Sequence, residues 1–599
     1  MSRLKSNIAD WALSLLFGVA VFLFWWRSYP FALSYHEQFQ LFLFGGDYLV
    51  ERLGEPGGAA RYLSEFLVQF YNNVLAGAAV IAVLLVLMQR LERGLMLNAQ
   101  PSTLNPPRST LRSAEGRLQG KNPPRFTLNP PLFSFLLPLL IWYMMGDDKL
   151  LLAFPVAIIM VQALMLLCRP LAQRGVAACA VVLAIAVPVG YWLCGPVVVA
   201  LAVLPVLTIR DNRMVQWLMA LGVVGYVALC VWGSSLLVPY TVSQLFCGLG
   251  YYRFFEVMLL TMVLAVLLMM VLPVVARHVH TQNPGIYAGL ATLMILLGWF
   301  LVPSNFDERT YELIEYDYLV RTQQWDAVIA KAEQKTPDLP MSVCATNLAL
   351  AMKGQLTERA FDFYQRGSEG LLPKFERNYA SILTTGEAYF QLGLVNMAQL
   401  FAFEAMEAIP NYNKSVRCVR RLAETNLING EYDVARKYLK MLKKTMFYSK
   451  WAQRMEALLG NEPQIAAHPL YGKLRSMRIR EDFLYSDREL DKICGQLVMA
   501  NPDNTVAEQY LLMYPVLDRD VNRFMNYFQF VQQQRPTLSS RICLEMVTFA
   551  YASRQQQPPQ GAVPERMLQQ YNQFIQEYRA GGPLATFRTT AWYYLLKGQ

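Results

Sequence analysis

Three groups of residues combine types and spacings that suit chemistry. The first is His36-Glu37, followed by Asp47 in Gly45-Gly46-Asp47-Tyr48. A carboxylate within hydrogen-bond reach of a hydroxyl can take its proton, so Glu37 and Asp47 are candidate general bases. Glu37 is equally an ordinary solvated residue, and Asp47 after two glycines also suits a helix N-cap. The second group is Asp147-Asp148. Hard divalent cations such as Mg or Mn prefer such oxygen ligands, and the same pair is a common turn composition. The third is Tyr251-Tyr252-Arg253, with Glu256 nearly one turn on. A cation among aromatics suits an anionic group, or anchors the chain at a membrane–water interface. The sequence has no Walker loop, dinucleotide fingerprint, HExxH or serine nucleophile elbow.

These residues sit between long apolar runs. Nine such runs precede Pro303: 8–26, 72–89, 132–146, 150–168, 175–194, 196–209, 214–232, 254–276 and 285–303. Stretches of about 18 or more apolar residues read as membrane-spanning helices. Runs 132–146 and 196–209 are short, but each pairs with a neighbour, so removing a whole hairpin keeps the parity. An odd count puts the N-terminus and the second half of the chain on opposite faces.

Basic residues set the orientation, because short cytoplasmic loops are rich in Lys and Arg. Arg3 and Lys5 precede the first run. Arg90, Arg93, Arg108, Arg112, Arg117, Lys121 and Arg125 follow the second, against Glu92 and Glu115. Arg169 and Arg174, Arg210 and Arg213, and Arg277 with His278 and His280 fall on that same face. The opposite face receives residues 27–71, Asp147-Asp148, 233–253 and everything past Pro303. The expected location is thus a bacterial inner membrane, with a cytoplasmic N-terminus and a periplasmic 304–599. The first run is long and lacks a small-residue cleavage site before Arg27, so it reads as a retained anchor.

Composition agrees. The chain has 599 residues, 54% of them hydrophobic, and a mean hydropathy of +0.24. Much of its net charge of +10 sits in the 89–131 loop, where topology accounts for it, so no nucleic-acid partner is expected. The nine cysteines show no metal spacing and read as buried small hydrophobes. Residues 98–131 are rich in Pro, Ser, Asn and Arg and repeat Thr-Leu-Asn-Pro-Pro at 103–107 and 127–131. That composition cannot bury a core and marks a flexible linker.

Residues 27–71 are patterned beyond a simple connector. Phe39, Phe42, Leu43, Leu49 and Leu53 recur at helical spacing, which predicts amphipathic helices on the membrane surface. Past Pro303 the pattern becomes repetitive. Gly386 through Gly393, Ala398, Ala402 and Ala405 to Pro410 is echoed by Leu422, Ala423, Gly430, Tyr432, Ala435 and Tyr438. Leu348, Ala351, Gly354, Ala360 and Tyr364 form an earlier unit, and Trp325, Ala327, Ile329, Ala332 and Pro337 another. Small residues after a turn glycine let paired helices approach. The pattern resembles the tetratricopeptide repeat, most specifically over 311–445, though its glycine spacing exceeds the usual ~34 residues. The expected fold is all-α: a polytopic membrane domain over 1–303, then a tetratricopeptide-like solenoid over 304–599.

The whole arrangement resembles the C-type glycosyltransferases, polytopic enzymes that take a sugar from a polyprenyl-phosphate lipid. In that superfamily a carboxylate shortly after the first span acts as base or activates the acceptor. Some members hold a divalent metal on acidic residues between the third and fourth spans, and an Arg near a later span meets the lipid phosphate. By position the resemblance gives Glu37 the catalytic place, with His36 standing where the family has an acidic residue and Asp47 as a second candidate. It gives Asp147 and Asp148 the metal, Arg253 the phosphate, and Tyr251 and Tyr252 the substrate's surroundings. A membrane half joined to exported repeats is also similar to the O-mannosyltransferases that carry such repeats. The implied partners are a polyprenyl-phosphate sugar and an exported protein or glycan acceptor held by the repeats. The second open reading is a non-enzymatic membrane-anchored scaffold for envelope assembly.

Overall fold

The computed structural model describes residues 2–99, 131–209, 212–276, 284–374, 379–409, 414–479, 489–536 and 539–598. Nearly all of the linker, both Thr-Leu-Asn-Pro-Pro copies but for Pro131, the Arg277–His280 turn and Pro410 lie outside them. Among the described residues extended backbone pairs only in isolated bridges, such as Leu150 with Tyr252. The rest is helix and connecting loop, and the chain divides into two compact units, Met1–Glu308 and Arg309–Gln599.

Unit 1 contains α1 (Ser2–Arg27), α2 (Pro30–Glu37), α3 (Gly46–Leu53), α4 (Gly58–Val68), α5 (Val74–Ala99), α6 (Leu136–Met144) and α7 (Ala153–Ala172). It continues with α8 (Val176–Cys194), α9 (Val203–Thr208), α10 (Arg213–Ser234), α11 (Val242–Cys247), α12 (Leu260–Val275) and α13 (Pro284–Ser304). Among the described residues five helices are long and apolar enough to cross a membrane: Asp10–Arg27 of α1, Val74–Leu97 of α5, α7, α8 and α10. Ala288–Ser304 of α13 makes a sixth if it is counted with the helix after it as one bent span. The remaining apolar runs form the shorter helices Leu132–Met144, Pro196–Thr208 and Leu260–Val275. These candidate spans are the mark of a membrane protein.

Burial divides each helix. On α7, Ile158, Val161 and Met165 are fully buried. On α10, Met214, Trp217, Leu218, Leu221, Leu229 and Trp232 are all more than half exposed. Apolar surface of that extent is an aggregation hazard in water and is stable in hydrocarbon. Helix α1 packs on α5, α5 on α7 and α7 on α8.

Residues 27–71 close over these helices as α2, α3 and α4 with a 3-10 turn, Gln69–Asn72. Gly57 donates its N–H to the Trp192 carbonyl at 2.8 Å, and Trp192 Nε1 returns a bond to the Leu53 carbonyl at 2.8 Å. Gly57 has φ +78°, and a Cβ added at Gly58 would overlap the Arg52 carbonyl oxygen. Only glycine fits both constraints.

Unit 2 is a succession of helix pairs. Helices α14 (Glu308–Arg321), α15 (Trp325–Gln334), α16 (Pro340–Met352), α17 (Leu356–Arg359), α18 (Tyr379–Leu392), α19 (Val395–Glu407), α20 (Val416–Asn429) and α21 (Tyr432–Lys443) lead to further helices ending at Lys597. Gly393 and Gly430, singled out as turn residues in the sequence, join α18 to α19 and α20 to α21 at φ +94° and +87°. The small residues following them, Ala398, Ala402, Ala405 and Ala435, are buried where the paired helices meet. Neighbours in sequence are neighbours in space: α18 packs on α19, α19 on α20 and α20 on α21. All nine cysteines are free, and all except Cys230 are buried.

Candidate functional site

Two loop segments of unit 1 form a short antiparallel clip. Leu151 N–H donates to the Tyr251 carbonyl at 3.0 Å, and Arg253 N–H to the Lys149 carbonyl at 2.9 Å. The clip sets Asp147-Asp148 beside Tyr252-Arg253, residues about a hundred positions apart in sequence. Asp147 uses both oxygens: Oδ1 accepts from Lys149 N–H at 2.9 Å and Oδ2 from the Tyr252 hydroxyl at 3.0 Å. Burial and then the Asp147 carboxylate push the Tyr252 phenol up. Arg253 donates to the Asp148 carbonyl at 3.0 Å, and its Nη1 lies 3.6 Å from Asp148 Oδ2.

The Arg253 guanidinium also stacks on Phe39, 3.8 Å from the ring centroid, a cation–π geometry. Phe39 follows α2, so the same contact brings α2 and His36 to the clip. His36 is held to about 4, first by burial, then by the Arg253 cation, with Asp147 opposing. It is therefore a neutral imidazole at physiological pH, able to accept a hydrogen bond.

Beside this cluster His36, Trp25, Gln40 and Tyr71 line a cavity of about 30 Å³ with Leu33 and Ile81. That is room for about two waters. Three of these residues bring polar atoms that are buried without a hydrogen-bond partner among the described residues: Trp25 Nε1, Gln40 Oε1 and Tyr71 Oη. Buried polar atoms of this kind normally bond to something. Donors and an acceptor lining one cavity suit a small, neutral, hydroxyl-bearing group.

The sequence-derived residues divide accordingly. His36, Asp147, Asp148, Tyr252 and Arg253 come together. Glu37, next to His36, is buried. Asp47 is exposed on the first turn of α3, whose N-cap is Gly45. Tyr251 turns into the core, its hydroxyl donating to the Cys194 carbonyl and its ring packing on Phe154. Glu256 is exposed and accepts from Gln244 Nε2 at 3.3 Å.

Asp147 and Asp148 are both engaged within the protein. Asp147 has both oxygens engaged, and the Arg253 cation stands beside Asp148. No three His, Cys, Asp or Glu among the described residues gather to hold a metal.

A model described as a family of unknown function (DUF6057) matches residues 5–598. The chain belongs to DUF6057. No curated protein and no solved structure matches it.

This DUF6057 chain also holds a second charged cluster, which local sequence does not reveal. Glu65 is buried and accepts from Arg52 Nε at 2.9 Å, Arg61 Nε at 3.1 Å and the Tyr48 hydroxyl. Arg61 also reaches Glu55 at 2.8 Å, and the Tyr240 hydroxyl reaches Glu55 at 2.9 Å. The helical spacing of Arg61 and Glu65 was the available signal. Their burial was invisible, because it depends on α4 packing against α7 and α8. With its charges mutually satisfied, this cluster fixes the shape of 27–71.

Proposed function

We propose that the DUF6057 chain is a membrane glycosyltransferase that moves a sugar or glycan from a polyprenyl-phosphate donor to an exported acceptor. The observation that carries this reading is the meeting of His36, Arg253, Asp147 and Asp148 from three separate parts of the chain, with His36 also lining the neighbouring small cavity. In the proposed topology about nine segments cross the inner membrane, this cluster lies at the periplasmic face, and unit 2 is a periplasmic tetratricopeptide-like array that holds the acceptor.

The acceptor hydroxyl attacks the anomeric carbon, and the bond to the lipid phosphate breaks with its electron pair leaving on phosphate. The hydroxyl proton passes to Glu37, and neutral His36 beside it accepts a hydrogen bond that orients the acceptor. Arg253 exchanges Asp148 for the departing phosphate and stabilises its charge. A divalent cation, if bound, would be held by Asp147 and Asp148 and would help neutralise the phosphate.

The competing reading is a non-enzymatic membrane-anchored scaffold. It is favoured by the small size of the cavity and by the mutual pairing of Arg253 and Asp148. A deletion strain decides between them, scored for lost glycosylation of envelope proteins or altered surface polysaccharide. Under the enzyme reading, Glu37→Gln inserts normally yet fails to complement, since losing a general base costs about 10²–10⁴-fold in rate, and His36→Gln, which misorients the acceptor, is impaired as well. Full complementation by both single variants and the double variant removes α2 from the chemistry and leaves the scaffold.

A further inference from the structure

A different polar pair lies among the candidate spans. The structure carries α5 past residue 89, where the sequence began a loop, so Glu92 is in the Val74–Leu97 candidate span; Gln162 is midway along α7, and both side chains are completely buried. Gln162 Nε2 donates to Glu92 Oε2 at 2.8 Å. The second oxygen of Glu92, Oε1, and the single side-chain oxygen of Gln162, Oε1, are buried with no hydrogen-bond partner among the described residues. Two orphaned acceptors on one bonded pair is the pattern left when a shared proton is not counted.

None of the surrounding charges pairs with Glu92 among the described residues. On its own helix, Arg90 pairs with Asp10 of α1 at 3.0 Å, and Arg93 pairs with Asp10 as well. Arg169 of α7 donates to the Leu95 carbonyl at 3.1 Å. Helix α12 carries no ionisable side chain and α6 only Tyr143. Helix α2, with His36 and Glu37, meets α5 at its far end, where Leu33 abuts Gly77. Among the described residues no ion pair reaches Glu92, and its single hydrogen-bond partner is a neutral amide. A carboxylate in that position would be a buried, unpaired charge, which is strongly disfavoured.

We propose that Glu92 and Gln162 form an intramembrane proton-binding site. One proton on Glu92 Oε1, donated to Gln162 Oε1, closes an acid–amide pair and satisfies both orphaned oxygens. Ionisable groups placed inside a membrane bundle typically mark proton or ion sites. This inference is independent of the glycosyltransferase reading.

The test is infrared difference spectroscopy of the full-length protein in detergent micelles at neutral pH. The wild-type minus Glu92→Gln spectrum is expected to show a protonated-carboxyl C=O stretch. In Gln162→Leu that band should move to higher frequency, because its carbonyl oxygen loses a hydrogen bond. Glu92→Gln should accumulate and melt like wild type, since its neutral amide can make the same two bonds. A carboxylate stretch in the difference spectrum overturns the proposal, as does a band unmoved in Gln162→Leu. Failure of Glu92→Gln to accumulate counts against it too. Should Gln162→Leu not accumulate, the Glu92→Gln spectrum decides the proton by itself.

Discussion

His36 owes its neutrality to its surroundings. Burial penalises the imidazolium, the Arg253 guanidinium repels it, and Asp147 recovers only part of that cost. The consequence for stability has a definite sign. Unfolded His36 takes up a proton as the pH falls below 6.5, whereas the folded residue resists protonation down to about 4. The unfolded state therefore binds more protons in that window, so stability is fully present above it and declines as the pH is lowered through it. Thermal melts of the full chain at stepped pH are expected to show this decline. His36→Gln should flatten it by about 1–3 kcal/mol, and an identical slope in the variant would show that His36 is not held neutral. Arg253 answers a different question. Its sequence surroundings suggested an anion site, yet its charge is set against Asp148 and the Phe39 ring. Residue type declared a cation; only packing chose its partners.

Elements explain why the loop between α1 and α5 can act as a rigid roof. Gly58 sits so close to the Arg52 carbonyl that a methyl group must displace backbone. Gly58→Ala is expected to lower stability by about 1–3 kcal/mol. Gly46→Ala, where nothing lies within 4 Å, should change it by well under 1 kcal/mol. Equal melting points for the two variants would contradict the close approach. The apolar run 196–209 shows another device. Its first seven residues, Pro196–Ala202, are 3-10 helix and the next six are α9. At about 2.0 and 1.5 Å per residue the segment reaches about 23 Å, farther than an α-helix of equal length. Val198, Leu201 and Leu204 are fully buried, so protein encloses a segment too short to face lipid alone. In unit 2 the α14, α18 and α20 helices are tied by buried charge. Arg417 holds Asp317 at 2.8 and 2.9 Å and Glu387 at 3.3 Å. Burial opposes ionisation of Glu387, but Arg421 and Arg417 hold its carboxyl below the usual range. Arg417→Ala strands Asp317, and is expected to cost about 3–5 kcal/mol in denaturant unfolding of this unit. A loss below 1 kcal/mol would mean the pair contributes little.

At the scale of the whole molecule the decisive property is sidedness. The basic residues flanking the apolar runs fall on alternate loops, so the proposed topology puts Gln599 in the periplasm. An alkaline phosphatase fused after Gln599 is expected to be active and a cytosolic reporter at that point silent. The reverse result would place the candidate cluster on the wrong face for an exported acceptor.

Sequence alone determined that the chain is helical, that it carries apolar helices, and that turn glycines punctuate its second half. These follow from local periodicity and backbone sterics, which need no knowledge of distant residues. It also drew attention to His36, Asp147, Asp148, Tyr252 and Arg253, because charge or aromaticity beside apolar runs is locally visible. Tertiary structure alone decided that these five meet, that Asp47 stays exposed, and that Tyr251 points into the core. It also decided that Glu65 and Glu92 are buried. Those outcomes depend on which helices pack together. Burial, not residue type, sets whether a carboxyl is solvated, paired or left to find a proton.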